Sequence, residues 1–196
     1  ENMGKEGVLI IAQNNVRKRM SSESVRRGRT IAASPKVALP VITFDKDISF
    51  HINGDDILAT HVHSSHTDGD ALIYFANNNV LHTGDSFFQA GFPYIDLSSG
   101  GSINGYIEGI QKMILITDDE TKIIPGHGDL STKADLKKYL IMLTTIKDRV
   151  LVEIEKEKTV EEVKENTTIT KGYESYSWWI TEEKIRETIF KSLTEN

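Results

Sequence analysis

The chain has 196 residues, of which 38% are hydrophobic and 27% are charged, a composition typical of a globular domain with its own core. It contains no cysteine, which excludes disulfide bonds, thiolate metal ligands and a cysteine nucleophile. No apolar run approaches the roughly 20 residues that a membrane-spanning helix needs, so we predict no membrane partner.

The first predicted elements are a strand and a helix. Residues 8–12 (VLIIA) form a continuous apolar run, which predicts a strand buried on both faces. Asn14 or Asn15 is expected to cap a helix that continues to Met20. Residues 26–40, which include Gly28, Pro35 and Pro40, are expected to form a loop. Because the chain shows neither a start methionine nor a signal peptide, we expect it to be cut from something longer.

The net charge of −6 is unevenly distributed, because residues 16–36 carry seven basic side chains against one acidic side chain, Glu23. Such a cluster is found in proteins that bind nucleic acids or anionic lipids. A solvated helix face followed by a mobile loop explains it better, since no aromatic residues interleave the basic ones to stack on bases. Nucleic-acid binding therefore remains only a minor alternative.

The remainder of the first half is predicted to be strands, and the second half mainly helices. Strands are expected at residues 41–44, 48–52, 57–63, 71–75 and 80–83, joined by short turns that suggest hairpins in an antiparallel or mixed sheet. Apolar spacing predicts helices at residues 103–114, 136–154 and 181–193, with one late strand at residues 123–124. Thr132 with Asp135, and Thr159 with Glu162, are capping-box signatures. The pattern predicts a single α/β (α+β) domain over residues 1–196, with layered sheets and helices.

Three short segments place metal-capable side chains where a predicted strand gives way to a turn. They contain His66 (HTDGD), Asp85 (TGD) and His127 (PGHG). Imidazole nitrogen and carboxylate oxygen are ordinary ligands of a zinc-like ion, and a carboxylate has two oxygens with which to bridge two ions. Singly, each residue is explained as well by a surface histidine or a turn aspartate, but together they indicate part of a two-metal hydrolytic site.

Other histidines and carboxylates near these segments have simpler interpretations. His61 and His63 share one strand face and are weak candidates for additional ligands. His82 is expected to pack, and His51 is expected to be a plain strand residue. Asp68 and Asp70 either orient His66 or form the turn, and these two alternatives stay open.

The aromatic residues after Asp85 have two interpretations of equal weight. Phe87, Phe88, Phe92 and Tyr94 either line a substrate cleft or form a loop that packs over the core. Trp178 and Trp179 adjoin the last helix. One of the two tryptophans is expected to pack on the core, and neither is assigned a function.

The three segments resemble the metallo-β-lactamase superfamily. Residues 61–88 (HVHSSHTDGDALIYFANNNVLHTGDSFF) are similar to the middle of family members, and residues 123–131 (IIPGHGDLS) to their final metal-ligand loop. Residues 8–20 (VLIIAQNNVRKRM) resemble the strand and helix that follow the first metal motif. The tail from Leu136 onward resembles the helical C-terminus of a broad subgroup of hydrolases.

The resemblance implies a fold, a cofactor and residue roles. The implied fold is a four-layer αββα sandwich with two zinc ions at one edge of its sheets, of which this chain would be the C-terminal two-thirds. His66 would complete the three-histidine set of the first metal, Asp85 would bridge both metals as the catalytic carboxylate, and His127 would bind the second metal. A metal-bound hydroxide would attack a carbonyl or a phosphoester of a small-molecule substrate.

One departure from the family pattern bears on activity. The histidine-x-histidine-x-aspartate-histidine motif that supplies most family ligands should precede residue 8, and residues 1–7 do not resemble it. We therefore predict a metal-dependent hydrolase of amide, lactam, ester or thioester bonds whose activity is weak or absent in this chain, with weak zinc binding. The alternative is an inactive scaffold or binding module that retains the fold. An exposed sheet edge would favour self-association, and the cellular compartment stays open.

Overall fold

The computed structural model describes residues 1–26 and 29–195, which contain nine strands and six α-helices joined by turns and loops. The strands are β1 (Ile11–Gln13), β2 (Ser24–Arg26), β3 (Arg29–Ile31), β4 (Ile42–Phe44), β5 (Asp47–Ile52), β6 (Asp55–Val62), β7 (Asp70–Phe75), β8 (Val80–Phe88) and β9 (Lys122–His127). The helices are α1 (Asn2–Lys5), α2 (Asn14–Met20), α3 (Ile103–Ile116), α4 (Lys133–Glu155), α5 (Val160–Glu165) and α6 (Glu182–Thr194). The predicted mixed α/β class is confirmed.

The central element is a five-stranded mixed sheet in the order β5-β6-β7-β8-β9. The first three pairings are antiparallel, as the hairpin spacing predicts, and β8 pairs with β9 in parallel. The connection between β8 and β9 contains α3, which is long enough to return the chain for parallel pairing. Because parallel strands end at the same edge, the carboxyl ends of β8 and β9 lie side by side.

Helix α3 packs against β8 on one face of this sheet, α4 and α6 pack against α3, and the hydrophobic core lies among these elements. The fully buried core side chains include Leu72, Leu81 and Ile123 from the strands, and Ile110, Met113, Leu143, Ile146, Ile185 and Ile189 from the helices. The capping boxes predicted at Thr132–Asp135 and Thr159–Glu162 are both present. They fix the starts of α4 and α5.

The amino-terminal prediction is wrong in its burial. The strand β1 covers only three residues, pairs in parallel with β4, and leaves Val8 and Leu9 more than half exposed. The continuous apolar run predicts a strand that is covered on both faces. Among the described residues, β1 has β4 as its single partner strand, and part of the apolar run stays exposed. The helix α2 is confirmed, but its cap is Gln13 and not Asn14 or Asn15, because the Gln13 side chain accepts a hydrogen bond from the Asn15 N–H at 2.5 Å.

The predicted loop at residues 26–40 is also wrong in part, since it contains β3, which pairs antiparallel with β2. Gly28, expected to break the chain there, lies outside the described residues, as does Arg27 of the basic cluster. Two other cations of that cluster are used internally: Arg17 donates to the carbonyl of Pro40, and Arg19 forms an ion pair with Asp68 and donates to the carbonyl of Ser99. Within residues 1–26 and 29–195, no helix has the length and hydropathy that crossing a bilayer requires.

Candidate active site

The site lies where β8 and β9 end, beside the loop between β6 and β7. Asp85 belongs to β8 and His127 is the last residue of β9, so both lie within strands and not in the turns that the sequence predicts. The pairing register shifts on both sides of Gly84, which itself has a φ of +52°. Such an irregularity turns side chains away from their regular alternation. It directs Asp85 to the sheet edge.

The carboxylate of Asp85 lies between the two predicted histidines. Its Oδ2 atom is 3.7 Å from Nε2 of His66, and its Oδ1 atom is 3.6 Å from Nε2 of His127. Both separations are too long for hydrogen bonds. The three residues singled out in the sequence are thus brought together, with each carboxylate oxygen facing one imidazole nitrogen.

The imidazole of His66 is held in a defined orientation. Its Nδ1 atom is 2.7 Å from the backbone carbonyl oxygen of Tyr94. Because a carbonyl only accepts, Nδ1 carries a proton, and Nε2 is the ring atom that faces Asp85. This orientation leaves Nε2 available as a ligand atom on the side of the Asp85 carboxylate.

A hydrogen bond to its backbone carbonyl holds Asp85 in place. The hydroxyl of Tyr106 donates to the carbonyl oxygen of Asp85 at 2.9 Å. Burial raises the pKa of Tyr106 well above its usual range, so the hydroxyl stays protonated and remains a donor. The side chain of Asp85 occupies space left by Gly126, where a Cβ atom would lie 2.3 Å from Oδ1.

The loop that carries His66 is fixed by backbone contacts with the start of α3. The N–H of Ser102 donates to the carbonyl of Ser64 at 2.9 Å, and the N–H of Asp96 donates to the carbonyl of His66 at 2.9 Å. A Cβ atom at Gly101 would lie 2.3 Å from the carbonyl oxygen of His66, and one at Gly105 would lie 2.2 Å from that of Ser64. Glycine at both positions therefore lets the loop approach the helix.

Asp68 and Asp70 stabilise the turn after His66. Asp70 accepts hydrogen bonds from the backbone N–H and the hydroxyl of Thr67, at 2.8 and 2.7 Å. Burial raises the pKa of Asp70 above its ordinary value, and the Thr67 bonds oppose that effect. Asp68 pairs with Arg19. The contacts of both carboxylates match the turn alternative, since the ring of His66 is oriented by the Tyr94 carbonyl.

The remaining histidines lie in different surroundings. His61 is within 2.9 Å of the carbonyl of Asp70 through Nδ1, and His63 is exposed. His82 is exposed rather than packed, with Nδ1 accepting from the N–H of Gly84 at 3.2 Å. His51 is an exposed strand residue, as expected, in an ion pair with Asp56.

Aromatic rings surround the two histidines of the site. Phe88 is buried and stacks on His127, with ring centroids 4.6 Å apart. The ring of Tyr94 lies 5.5 Å from that of His66 and 5.3 Å from that of Trp179, which in turn lies 6.4 Å from that of His127. A series of ring contacts through Tyr94 and Trp179 therefore connects the two histidines.

The four aromatic residues after Asp85 lie in different surroundings. Phe87 and Phe92 are core residues, Phe88 backs His127, and Tyr94 is only partly buried. The sequence analysis missed Tyr106 and Trp179. No local signal marks them, because each reaches the site through tertiary packing.

Comparison with known families adds the decisive observation. Residues 8–127, more than half of the chain, match the metallo-beta-lactamase superfamily. The chain belongs to this superfamily. Its members are hydrolytic metalloenzymes that typically use metal ions, and the matched range ends at His127.

Relatives of this superfamily member in sequence cover only part of it. An uncharacterized protein of Mycobacterium tuberculosis is 31% identical over 98 residues, which are 47% of this chain and 43% of the relative. An uncharacterized protein of Mycobacterium leprae is 35% identical over 68 residues, which are 34% of this chain and 31% of the relative. The chain thus matches less than half the length of these curated relatives.

Solved structures share the fold. BLEG-1, a B3 metallo-beta-lactamase, is similar over 73% of this chain and 68% of its own, with a TM-score of 0.59 and 22% identity. A metallo-beta-lactamase from Pontibacter korlensis covers 73% of this chain and 61% of its own (TM-score 0.57, 16% identity). The inverting sec-alkylsulfatase Pisa1 from Pseudomonas sp. covers 97% of this chain and 37% of its own (TM-score 0.68, 15% identity).

The site residues of this metallo-β-lactamase superfamily member fit part of a two-metal centre. Two ligand atoms that bind one tetrahedral ion at about 2.0–2.2 Å are about 3.4 Å apart, close to both distances between Asp85 and the histidines. Each pair thus has the spacing expected of two ligands of one tetrahedral ion. Among residues 1–26 and 29–195, no cluster of three or more histidine, cysteine, aspartate or glutamate side chains is arranged to hold a metal ion.

Proposed function

We propose that the protein is a zinc-dependent hydrolase of a small-molecule amide, lactam, ester or thioester, with His66, Asp85 and His127 among its metal ligands. One observation carries this proposal: the two oxygens of Asp85 face the Nε2 atoms of two histidines at 3.6–3.7 Å. A hydrogen bond would bring these atoms within about 3.2 Å, whereas two ligands of one tetrahedral zinc ion lie about 3.4 Å apart.

The residues of the chain contribute binding and orientation. His66 and one oxygen of Asp85 would hold one zinc ion, while His127 and the other oxygen would hold the second. The carbonyl of Tyr94 keeps the proton of His66 on Nδ1, and the stacked ring of Phe88 limits rotation of His127. When bound, the metals would supply a water of lowered pKa and polarise the bond under attack.

We further propose that this chain has little or no activity by itself. The described residues provide two ligands for each ion, and a catalytic zinc site in proteins has three protein ligands. Weak binding lowers both occupancy and the supply of nucleophile.

Metal content and turnover test both parts of the proposal. The purified chain would be dialysed against zinc, analysed for bound metal, and assayed with a chromogenic β-lactam and a thioester. We expect substoichiometric zinc and no turnover, with a further loss of zinc in His66→Ala, Asp85→Asn and His127→Ala. The variant His51→Ala is the matched control, since His51 is an exposed strand histidine that lies outside the site.

Different outcomes test the ligand assignment and the proposed inactivity of this chain separately. Equal zinc retention in the site variants and in His51→Ala would contradict the assignment of the ligands. Stoichiometric zinc with turnover would support that assignment but refute the claim that this chain is inactive.

A binding module without chemistry is the second candidate. It is favoured by the lack of a cluster of three or more metal-capable side chains among the described residues. The codons upstream of Glu1 in the parent gene distinguish the two. A histidine-rich motif there supports the hydrolase, and its absence supports the module.

A further inference from the structure

Two exposed tryptophans beside the site are not accounted for by packing. Trp178 and Trp179 are 69% and 55% exposed, although tryptophan is on average a highly buried residue. They lie between the 3₁₀ turn Glu174–Tyr176 and α6. Both large apolar side chains are thus exposed to solvent beside His127, whose ring lies 6.4 Å from that of Trp179.

A cavity of about 230 Å³ separates Trp178 from His127. Its lining is Phe88, Ala90, Gly91, His127, Gly128 and Trp178. Apart from His127, none of these residues has an ionisable side chain. An apolar cavity of about 150 Å³ already accommodates benzene, so this volume admits a group of the size of one aromatic ring but not a folded chain or a nucleotide.

The tryptophans are held in place by the backbone of neighbouring segments. The N–H of Phe92 donates to the carbonyl of Tyr176 at 2.9 Å, and the N–H of Ser177 donates to the carbonyl of Glu174 at 3.0 Å. Gly91 lies against the indole of Trp178, where a Cβ atom would be 3.8 Å from the ring. These contacts fix the walls of the cavity before any ligand enters, which lowers the entropic cost of binding.

We infer that Trp178 and Trp179 form a subsite for an uncharged aromatic ring of the substrate, next to the bond that is cleaved. The ring would lie in the cavity between Trp178 and Phe88, while Trp179 closes the side toward Tyr94, 5.3 Å away between ring centroids. Aromatic pairs prefer offset or edge-on contacts, and the rings of Trp178 and Phe88 in the lining are the partners available for them. The link to substrate cleavage rests on the proposed function, but binding of the ring does not.

Tryptophan fluorescence tests the subsite directly, because Trp178 and Trp179 are the only tryptophans in the chain. The purified chain, treated with EDTA, would be titrated with 4-nitrobenzyl alcohol, an uncharged nitroaromatic that quenches indole emission. We expect saturable quenching, and affinity reduced about tenfold in Trp178→Ala through the loss of one aromatic partner. Trp178→Phe keeps an aromatic ring and should bind within about twofold of the original chain.

Controls exclude less specific explanations. Leu115→Ala removes an apolar side chain that is 84% exposed on α3, and it should leave the affinity unchanged. The anion 4-nitrobenzoate should bind about tenfold more weakly, because no lysine or arginine lines the cavity to offset the cost of desolvating its carboxylate. Thermal unfolding of each variant verifies that the fold is intact.

The results distinguish this inference from the proposed function. Quenching that rises linearly without saturation, or unchanged affinity in Trp178→Ala, would overturn the subsite even if the enzyme hydrolyses substrates. Saturable quenching that depends on Trp178 would support the subsite, including in a protein that never binds zinc.

Discussion

Asp85 reaches its position because the residue opposite it has no side chain. A Cβ atom at Gly126 would lie 2.3 Å from Oδ1 of Asp85 and 2.7 Å from the backbone of Gly84. Real Cβ atoms do not approach other atoms so closely. The glycine of the PGHG segment therefore determines where the carboxylate lies as much as the aspartate does.

Gly126→Ala should displace the Asp85 carboxylate from between the two histidines. Since ligand geometry determines zinc affinity, we expect zinc binding to weaken about tenfold or more, as measured by competition with a chromophoric chelator. Asp129→Ala is the control, because Asp129 is an exposed residue of the same loop. Equal zinc affinity in the two variants would show that the close approach of Gly126 is unimportant for the metal.

At this scale the sequence singled out three residues that the structure brings together, but not the residues that support them. His66, Asp85 and His127 each follow a strand predicted from the sequence and have a glycine nearby, which is a local pattern. The carbonyl of Tyr94 lies 28 residues from His66 along the chain and contributes no side-chain signal. Trp179 and Tyr106 also reach the site only through tertiary contacts, which periodicity does not encode.

At the scale of elements, the start of α3 acts as a platform for the His66 loop. Gly101 and Gly105 give it a flat surface against the backbone of residues 64–66, and the side chain of Ser102 caps the helix by accepting from the N–H of Gly105 at 3.0 Å. Helix propensity alone favours alanine at a glycine position by about 1 kcal/mol. Close packing opposes that preference here.

Gly105→Ala should therefore destabilise the protein despite its better helix propensity. The added Cβ atom would lie 2.2 Å from the carbonyl oxygen of Ser64, and we expect a net loss of about 1–2 kcal/mol in the free energy of unfolding. Urea denaturation measures it. Gly109→Ala on the same helix should cost less, because the nearest atom there is a side-chain methyl of Val62. A stabilised Gly105→Ala variant would disprove the platform.

The elements themselves were predictable where the signal is local and not where it is tertiary. Hairpin spacing and capping boxes predicted β5 to β7 and the starts of α4 and α5. The β2–β3 pair was missed because residues 26–40 carry breakers and little apolar alternation. β8 was predicted to end at Thr83, yet it continues to Phe88 because β9 pairs with it across an irregular register.

At the scale of the whole molecule, the amino-terminal segment leaves several apolar side chains exposed. Val8, Leu9 and Val41 are 51%, 59% and 66% exposed around the β1–β4 pair. Adjacent exposed apolar residues beside a two-stranded sheet favour association with another chain. We propose that a second copy of this chain covers this surface.

Val41→Lys should shift the chain toward the monomer. A charge placed in an apolar contact is costly to desolvate, so light scattering after gel filtration should give a lower mean mass than for the unmodified chain. Leu115→Lys, at a residue that is 84% exposed on α3, should leave the mass unchanged. A monomeric unmodified chain at high concentration would refute the proposal.

Trp178 and Trp179 lie outside residues 8–127, the range that matches the superfamily model. The three site residues and the two indoles thus come from separate segments of the chain, although Trp179 and His127 are ring neighbours. Substitution of the indoles would then change what the proposed subsite binds and leave His66, Asp85 and His127 in place. For protein engineering, the short segment before α6 is accordingly the place to graft new selectivity.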